Sequence, residues 1–403
     1  MSSVLHPAYL VHGVRTPIGK HRGALAPVRA DDLAAHLLRA LVERAPSAMA
    51  RLEQVIFGAT NQAGEDNRNV ARMATLLAGL PDEVPAVTVN RLCGSGLEAV
   101  SDAVMRVWTG DADVCVAGGV ESMTRAPYVM AKADEPFPRT PPQVFDTSLG
   151  WRFANPKMAE RFPLMSMGET AENVAEKWKI TREEQDAFAA RSHEKAIAAQ
   201  KAAAFDDEIV PVLIPQKKGE PTRIAVDESP RADTTLEALA KLRPVFKKDG
   251  SVTAGNSSPL NDGASAILVV SERALKEHNL TPLARVVSFG TAGVAPNFMG
   301  EGPIPAGKKA LERAKLQVSD LDVVELNEAF AAQSIACIRG LELDPAIVNL
   351  RGGAIALGHP IGSSGCRILV TLTRTMKALG KKRGMAALCI GVGQGIAMVV
   401  ESP

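Results

Sequence analysis

The chain has 403 residues, with 46 Lys and Arg against 45 Asp and Glu, so its formal net charge is +1. This balance argues against a protein that binds the phosphate backbone of nucleic acid, and an aromatic content of 4% argues against base stacking. Hydrophobic residues make up 46% of the chain, which indicates a folded globular protein. At this length we expect two or three domain-sized units.

No window of the sequence reaches the roughly 18–20 unbroken apolar residues of a membrane span, and residues 1–20 lack the pattern of a secretory signal. The cysteines are odd in number and none is spaced as CxxC, so we expect neither a disulfide framework nor a metal site. Free thiols predict a reducing, cytoplasmic location, and an organellar address stays open. The cysteines are Cys93, Cys115, Cys337, Cys366 and Cys389.

Short β-branched runs alternate with alanine-rich stretches of helical periodicity along the chain. This alternation predicts an α/β protein in which helices cover sheets. The predicted strands are 54–58, 87–89, 113–117, 322–326, 386–390 and 396–401, and the predicted helices are 31–44, 96–108, 304–315 and 365–379.

The middle of the chain has a different character. Residues 131–163 are rich in Pro, Arg and aromatic side chains and show no sustained period, whereas 167–204 are typical of charged, alanine-rich helices. Thr181-Arg-Glu-Glu184 is a candidate capping box at the start of one such helix. We interpret residues 125–254 as an insertion on the α/β scaffold, where loops often supply substrate contacts.

A weak internal repeat indicates two halves of one topology. Residues 54–62 are echoed by 322–330, and 89–96 are echoed by the glycine-rich segment that begins at Val348. We therefore predict an N-terminal half at 1–124, continuing at 255–280, and a C-terminal half at 281–403. Chance similarity between glycine-rich turns is the alternative explanation.

Cys93 is the first candidate for chemistry. It follows a predicted strand and opens a predicted helix within Cys93-Gly-Ser-Gly96. A helix N-terminus favours the thiolate form of cysteine and lowers its pKa, so Cys93 is a candidate nucleophile. A buried apolar cysteine is the structural alternative.

Three further segments place reactive side chains among glycines. His359 precedes Pro360 in a glycine-dense loop and is a candidate general base, with a packed loop histidine as the alternative. Cys389 ends an apolar strand before Gly391 and is a candidate acid and base, with a buried strand cysteine as the alternative. Asn327 ends another strand and can hold a water or a carbonyl group, unless it caps the next helix.

In this order, the segments resemble the thiolases, a family of acyl-CoA acyltransferases, and the resemblance runs nearly end to end. The blocks that carry it include Arg15-Thr-Pro-Ile-Gly-Lys20, Asn90–Val100, Gly118-Gly-Val-Glu-Ser-Met123, Met167–Val174, Lys241-Leu-Arg-Pro244, Thr253-Ala-Gly-Asn256, Asn327-Glu-Ala-Phe330, Gly352–Pro360 and Cys389–Gly395. The resemblance implies duplicated α/β halves in an α/β/α/β/α layered sandwich with an inserted loop domain. It also implies a homodimer or homotetramer.

The resemblance implies that Cys93, activated by His359, attacks a 3-ketoacyl-CoA, while Cys389 exchanges protons with the leaving acetyl-CoA and the incoming CoA. Asn327 would hold a water beside the enolate, and the Gly391 backbone amide would share the oxyanion with that of Cys93. No cofactor is bound permanently and CoA is a co-substrate. The resemblance further implies these substrate or CoA contacts: Arg231, Ser258, Met167, Met299, Ala329 and Phe330.

The main functional prediction is an acetyl-CoA C-acyltransferase, a reversible 3-ketoacyl-CoA thiolase of fatty acid β-oxidation. A 3-oxoadipyl-CoA-specific or acetoacetyl-CoA-specific thiolase is the alternative. Acetoacetyl-specific members carry a His where this chain has Ser166, and residues 146–152 and 227–236 look more like 3-oxoadipyl-CoA thiolases.

Proteins of other classes remain as rival hypotheses. The active site of a β-ketoacyl synthase-like enzyme would resemble one Cys with two His residues. In this chain Asn327 stands in the place of one of those histidines. A non-catalytic acyl-CoA or lipid-carrier module would lack the nucleophile or the base. A Cys–His hydrolase would need no second thiol.

Overall fold

The computed structural model describes residues 5–403. The strands of this part are β1 (Ala8–Arg15), β2 (Gly19–Lys20), β3 (Gln54–Gly58), β4 (Ala86–Val89), β5 (Val114–Ser122), β6 (Tyr128–Met130), β7 (Val144–Asp146), β8 (Val212–Ile214), β9 (Thr222–Ile224), β10 (Asn261–Ser271), β11 (Ala284–Gly293), β12 (Val323–Leu326), β13 (Arg383–Ile390) and β14 (Gln394–Glu401). The α-helices are α1 (Ala30–Arg44), α2 (Pro46–Met49), α3 (Val70–Leu77), α4 (Ser95–Thr109), α5 (Pro156–Arg161), α6 (Met167–Trp178), α7 (Arg182–Lys201), α8 (Leu236–Ala240), α9 (Glu272–Glu277), α10 (Pro303–Ala314), α11 (Ala331–Gly340), α12 (Ala354–Leu357) and α13 (Ile361–Leu379).

The main strands form two similar halves. In the first half β1, β10 and β5 pair antiparallel, and β3 and β4 then continue parallel to β5. In the second half β11, β14 and β13 pair antiparallel, β12 is parallel to β13, and Val348 bridges Val324 where a counterpart of β4 would lie. Within residues 5–403, the strands of the two halves pair with each other only at two residue pairs between β1 and β11. This shared order explains the internal repeat of the sequence.

Side chains that point alternately to the two faces of each strand produce the layers of the fold. In β3, Val55 and Phe57 pack in a cluster with α1 and α3, whereas Ile56 packs on the other face with α4 and α13. In β13, Ala386 joins the α4 and α13 cluster, and Met385 faces α10 and α11. Because successive strand residues point to opposite faces, each sheet is covered on both sides. The predicted α/β/α/β/α sandwich is confirmed, with α4 and α13 as the central layer.

The inserted region is built from small elements and helices rather than from the main sheet. Within 125–254 lie the hairpins β6–β7 and β8–β9 and the helices α5 to α8. Thr181 caps α7 by accepting the Glu184 N–H, and the Glu184 carboxylate accepts the Thr181 N–H, as its sequence predicts. The boundaries of the three domains stay predictions. No helix within 5–403 is long and apolar enough to cross a membrane.

A buried ion-pair network ties β1 to the inserted region. Arg15 is 0% exposed and donates to Glu208 at 2.7 Å and to both carboxyl oxygens of Asp227 at 2.7 and 2.9 Å. Replacing Arg15 by methionine leaves two buried carboxyl groups without their cation, so the free energy of unfolding should fall by about 3–5 kcal/mol. Urea unfolding followed by circular dichroism measures this change. Arg51→Met removes an exposed arginine and should change little; equal stability of both variants would contradict the prediction.

Candidate active site

Cys93 lies in the turn between β4 and α4, two residues before the helix begins. Leu92 has a φ of +46°, in the left-handed region that residues other than glycine rarely adopt. The Ser95 hydroxyl donates to the Leu92 carbonyl oxygen at 2.6 Å and holds this turn. A Cβ atom on Gly94 would lie 2.6 Å from Cδ1 of Ile390, so glycine lets the turn pack against the end of β13.

The electrostatic environment of Cys93 differs from the sequence-based expectation. Burial raises the pKa of the Cys93 thiol, although the backbone N–H groups of Gly391 and Cys93 act on its sulfur in the opposite direction. The carboxyl group of Glu121 raises the pKa further. The expectation that the helix N-terminus lowers this pKa was wrong, because the cost of desolvating the thiolate exceeds the stabilisation by two amides. Cys93 therefore rests as a neutral thiol near pH 7.

His359 is buried, and its ring is oriented by the first turn of α13. Its Nδ1 lies 2.6 Å from the Ser364 hydroxyl, which itself donates to the Pro360 carbonyl oxygen at 2.9 Å. The Ser364 hydroxyl proton is used in its bond to Pro360. Nδ1 therefore carries the imidazole proton and donates a hydrogen bond to the Ser364 oxygen. Nε2 has no hydrogen-bond partner among residues 5–403. Burial, with a smaller contribution from Arg367, lowers the pKa of His359 to about 4, so Nε2 is an unprotonated acceptor at neutral pH.

The cysteine and histidine segments meet where α4 and α13 begin. A Cβ atom on Gly96 would lie 2.8 Å from the Gly362 carbonyl oxygen and 2.8 Å from the Cys366 nitrogen. These glycines let two helix backbones approach more closely than any side chain would permit. The structure thus brings the helix that follows Cys93 against the helix that follows His359, although the two residues are 266 positions apart in the sequence. Direct contact between the thiol and the imidazole stays a prediction.

The resting protonation states predict how Cys93 reacts with an alkylating reagent. Because its pKa is raised and His359 is neutral, the reaction rate with iodoacetamide should rise about tenfold per pH unit between pH 6 and 8. The alkylation rate of Cys93 is measured by quenching the reaction at set times and quantifying the modified Cys93 peptide by mass spectrometry. A plateau below pH 7 would instead indicate a preformed thiolate–imidazolium pair and would contradict this prediction. Cys93→Ala defines the background reaction of the other thiols.

Cys389 lies near the end of β13, and Gly391 is in the turn that follows. Cys389 is 1% exposed and pairs in register with Gly395 of β14. Burial raises its pKa well above the usual value, and the proximity of Cys93 raises it further. The two thiols are therefore near each other, although Cys93 packs against the cluster that holds α4 and α13 and Cys389 belongs to a different hydrophobic cluster. The Gly391 backbone N–H is directed at the Cys93 sulfur, so it lies near the place where the oxyanion of a Cys93 adduct would form.

Asn327 follows β12, and its backbone N–H donates to the Ala387 carbonyl oxygen of β13 at 2.9 Å. The side chain is 0% exposed, yet neither its Oδ1 nor its Nδ2 has a hydrogen-bond partner among residues 5–403. Buried amide groups are nearly always hydrogen-bonded, since leaving them unpaired is costly. Asn327 therefore has unused donor and acceptor capacity for a water or a ligand.

Four of the predicted acyl contacts surround Cys389. Met167, Met299, Ala329 and Phe330 belong with Cys389 to one hydrophobic cluster. Sequence reasoning missed three further members, because small or apolar side chains carry no reactive group that would mark them as site residues. They are Ala171, Phe246 and Val252.

The two predicted CoA contacts lie in different surroundings. The Ser258 N–H donates to the Ala329 carbonyl oxygen at 3.0 Å, so Ser258 borders this cluster. Arg231 is exposed, and its backbone N–H donates to Nδ1 of His193 at 3.2 Å. Neither residue belongs to the cluster around Cys389, and their contact with CoA stays a prediction.

A half-buried thiol at Cys93, a buried thiol at Cys389, an unprotonated imidazole and a buried amide without a partner among residues 5–403 suit acyl transfer through a thioester. Comparison with known proteins agrees with this class. Residues 8–273 match the family model "Thiolase, N-terminal domain", and residues 280–402 match "Thiolase, C-terminal domain". The chain belongs to the thiolase family and is an acyltransferase.

Relatives and solved structures match over nearly the whole chain. The beta-ketoadipyl-CoA thiolase of Acinetobacter baylyi is 54% identical over 397 residues, which cover 98% of this chain and 99% of that protein. The 3-oxoadipyl-CoA/3-oxo-5,6-dehydrosuberyl-CoA thiolase of Escherichia coli is 52% identical over 98% of this chain and 100% of that one. The crystal structure of human mitochondrial 3-ketoacyl-CoA thiolase in complex with CoA has a TM-score of 0.92 and 40% identity, covering 99% of each chain.

Proposed function

We propose that this thiolase cleaves 3-oxoadipyl-CoA with CoA to give succinyl-CoA and acetyl-CoA. Relatives that are more than half identical over 98% of the chain act, by their names, on beta-ketoadipyl-CoA, which is the same compound as 3-oxoadipyl-CoA. They favour this alternative over the general 3-ketoacyl-CoA thiolase of β-oxidation that was the main prediction. The names of these relatives support a role in the breakdown of dicarboxylic acyl-CoA compounds more than a role in fatty acid oxidation.

The arrangement at the acyl end supports this substrate. The Trp151 indole N–H donates to the Met165 carbonyl oxygen at 3.0 Å, so residues 146–152 lie against the segment that leads into Met167. The Ser166 hydroxyl group caps α6. Thiolases specific for acetoacetyl-CoA are expected to carry a histidine at this position. The two sequence features that depart from the acetoacetyl pattern are thus adjacent. A smaller side chain at this position suits a longer acyl group than acetoacetyl.

The first half of the proposed reaction forms an acyl-enzyme. The Cys93 sulfur attacks C3 of the substrate while Nε2 of His359 takes the thiol proton. The tetrahedral oxyanion accepts hydrogen bonds from the backbone N–H groups of Cys93 and Gly391. Donors of this kind typically contribute about 3 kcal/mol each to the transition state. Collapse breaks the C2–C3 bond, leaves the succinyl group on Cys93 and releases acetyl-CoA as its enolate.

The second half uses the other thiol. The enolate oxygen faces His359 and a water held by Asn327, and Cys389 gives its proton to C2, so that acetyl-CoA leaves. The Cys389 thiolate then removes the proton of the incoming CoA thiol. The CoA thiolate attacks the thioester, and His359 returns its proton to the Cys93 sulfur as succinyl-CoA departs. Every proton is recovered, and the reverse sequence condenses the two products.

The observation that carries this mechanism is the proximity of Cys389 to Cys93: burial raises the pKa of Cys389, and the nearby Cys93 raises it further. A Cys–His hydrolase needs one thiol and one imidazole and leaves the second thiol without a role. A carbon–carbon cleavage needs a group that protonates the departing carbon, and Cys389 supplies it. A non-catalytic carrier would not require the His359 Nε2 atom and the Asn327 amide to be buried without hydrogen-bond partners among residues 5–403.

A matched pair of substrates tests the proposal. 3-Oxoadipyl-CoA and 3-oxohexanoyl-CoA share a six-carbon chain and differ only in a terminal carboxylate or methyl group. We expect kcat/KM with CoA to be at least about tenfold higher for 3-oxoadipyl-CoA, with succinyl-CoA as the product by mass spectrometry. Acetoacetyl-CoA should be poorer still. Equal values for the six-carbon pair would support the general 3-ketoacyl-CoA thiolase, and no CoA-dependent cleavage of any substrate would overturn the mechanism.

A further inference from the structure

The segment that carries His359, residues 353–364, is held at four backbone N–H groups by buried side chains, the first being the Gly353 N–H, which donates to the Ser192 hydroxyl at 3.1 Å. The Ile355 N–H donates to Glu328 at 3.2 Å, and the His359 N–H donates to Asn261 at 2.9 Å. The Gly362 N–H donates to Glu121 at 2.8 Å. We call residues 353–364 the His359 segment. A carboxyl group therefore lies at each end of it, on either side of the imidazole.

Glu121 connects this segment to the first half of the fold. It lies near the end of β5, is 3% exposed, and accepts the Thr60 N–H at 3.1 Å, the Thr60 hydroxyl at 2.7 Å and the Asn61 N–H at 3.2 Å. Together with the Gly362 N–H, four donors thus converge on one carboxyl group. Burial raises the pKa of Glu121 to about 7, while the hydrogen bonds from these four donors act in the opposite direction and favour the ionised carboxylate.

Glu328 connects the other end of the segment to the second half and to the insertion. It follows Asn327 directly, is 1% exposed, and accepts from the Ser192 hydroxyl at 2.6 Å and the Asn349 amide at 2.8 Å. A Cβ atom on Gly353 would lie 2.2 Å from the Glu328 carboxyl carbon, so glycine is required for this approach. Glu328 therefore links the Asn327 loop to the His359 segment.

We propose that Glu121 and Glu328 are positioning residues that hold the two ends of the His359 segment and thereby set the direction of the His359 Nε2 atom. This inference rests on the proposed function, in which Nε2 takes the Cys93 proton. Both carboxyl groups act through the backbone and touch neither substrate nor reacting atoms. A misdirected Nε2 slows the chemical step, since proton transfer depends steeply on geometry, but leaves the CoA and acyl contacts in place.

Glu121 has a second effect that separates geometry from charge. Its carboxyl group raises the pKa of the Cys93 thiol. Glu121→Gln removes this charge and places an amide NH₂ or a single amide oxygen among four donors, so at least one donor loses its partner. Glu121→Asp keeps the charge, but the side chain is one methylene shorter, so the carboxylate lies farther from its four donors. Glu328→Gln disturbs the far end of the segment without changing the charge that acts on Cys93.

The experiment compares these three variants with Glu277→Gln, which alters an exposed carboxyl group on α9. We expect kcat to fall about 10- to 100-fold in all three, with KM within about twofold of the unaltered protein. Glu277→Gln should match the unaltered protein. Alkylation of Cys93 near pH 8 should be several-fold faster in Glu121→Gln and unchanged in the other two.

Hydrogen exchange supplies a readout that does not depend on the substrate. Peptides that cover residues 353–364 should exchange faster in each variant than in Glu277→Gln, whether or not the protein cleaves 3-oxoadipyl-CoA. If Glu121→Gln fails to fold, Glu121→Asp and Glu328→Gln test the same inference. A kcat within twofold of the unaltered protein in Glu328→Gln and Glu121→Asp, or unchanged exchange of the His359 segment, would overturn it. Failure of the unaltered protein to cleave any 3-ketoacyl-CoA would count against the proposed function alone.

Discussion

Replacing Cys93 by serine is expected to lower kcat for thiolysis by about 10⁴-fold or more. The hydroxyl group is far less acidic than a thiol, and burial lowers the pKa of His359 to about 4, which makes it a weak base. The neutral imidazole therefore cannot activate serine as it activates Cys93. Loss of the 3-ketoacyl-CoA absorbance with CoA present measures kcat. Mass spectrometry of the acid-stopped protein should show no succinyl adduct in Cys93→Ser.

Cys115 provides a matched control for this substitution. It is a buried thiol on β5, and burial raises its pKa to about 12. Cys115→Ala should keep kcat and lose only the roughly 1–2 kcal/mol of stability that a small core truncation costs. If Cys93→Ser retained a tenth of the original turnover, the nucleophile would have to be another residue and the assignment of Cys93 would fail.

Replacing Cys389 by alanine should separate acylation from turnover. Cys93 and His359 remain, so Cys93 should still accept an acyl group from an acyl-CoA. Without Cys389 no thiol protonates the enolate carbon or activates CoA, so steady-state thiolysis should fall about 10²- to 10⁴-fold. Intact-protein mass spectrometry should show the acyl adduct on Cys93 persisting after the substrate is removed.

The outcome that would contradict this role is equally specific. Near-normal turnover in Cys389→Ala would make Cys389 a core residue of the hydrophobic cluster around Met299 and Phe330. Cys115→Ala again controls for the loss of a buried thiol. Loss of adduct formation together with loss of turnover, with a cooperative unfolding transition retained, would instead assign Cys389 to the first chemical step.

Much of the fold was predictable from local patterns. The strands predicted at 54–58 and 322–326 and the helices at 31–44 and 96–108 agree with β3, β12, α1 and α4 within one or two residues. The pattern analysis did not identify β1, β10 and β11, which lie at the centre of the strand order. Their place depends on partners far away in the chain, such as Leu10 opposite Val269, and no local signal encodes such a pairing.

The features of the candidate site also divide into those that local sequence predicts and those that only the folded protein shows. Glycine-rich motifs marked Cys93, His359 and Cys389, because close backbone approach and tight turns leave a trace in the sequence. The protonation state of Cys93 could not be predicted, since it depends on how completely the folded chain excludes water around the sulfur. Glu121 and Glu328 lie within recognised motifs, yet their partners at Gly362 and Ile355 are visible only in the folded protein.

By itself, the order of short glycine-bounded motifs determined the family and the duplicated halves and predicted the candidate reactive side chains, because each of these depends on neighbours within about ten residues. Tertiary structure decided which groups carry protons and what holds the imidazole in place, because both depend on burial and on hydrogen bonds between distant segments. Glu121 and Gly362 are 241 positions apart and meet at 2.8 Å. Only the packing of the start of α13 against the end of β5 creates that contact.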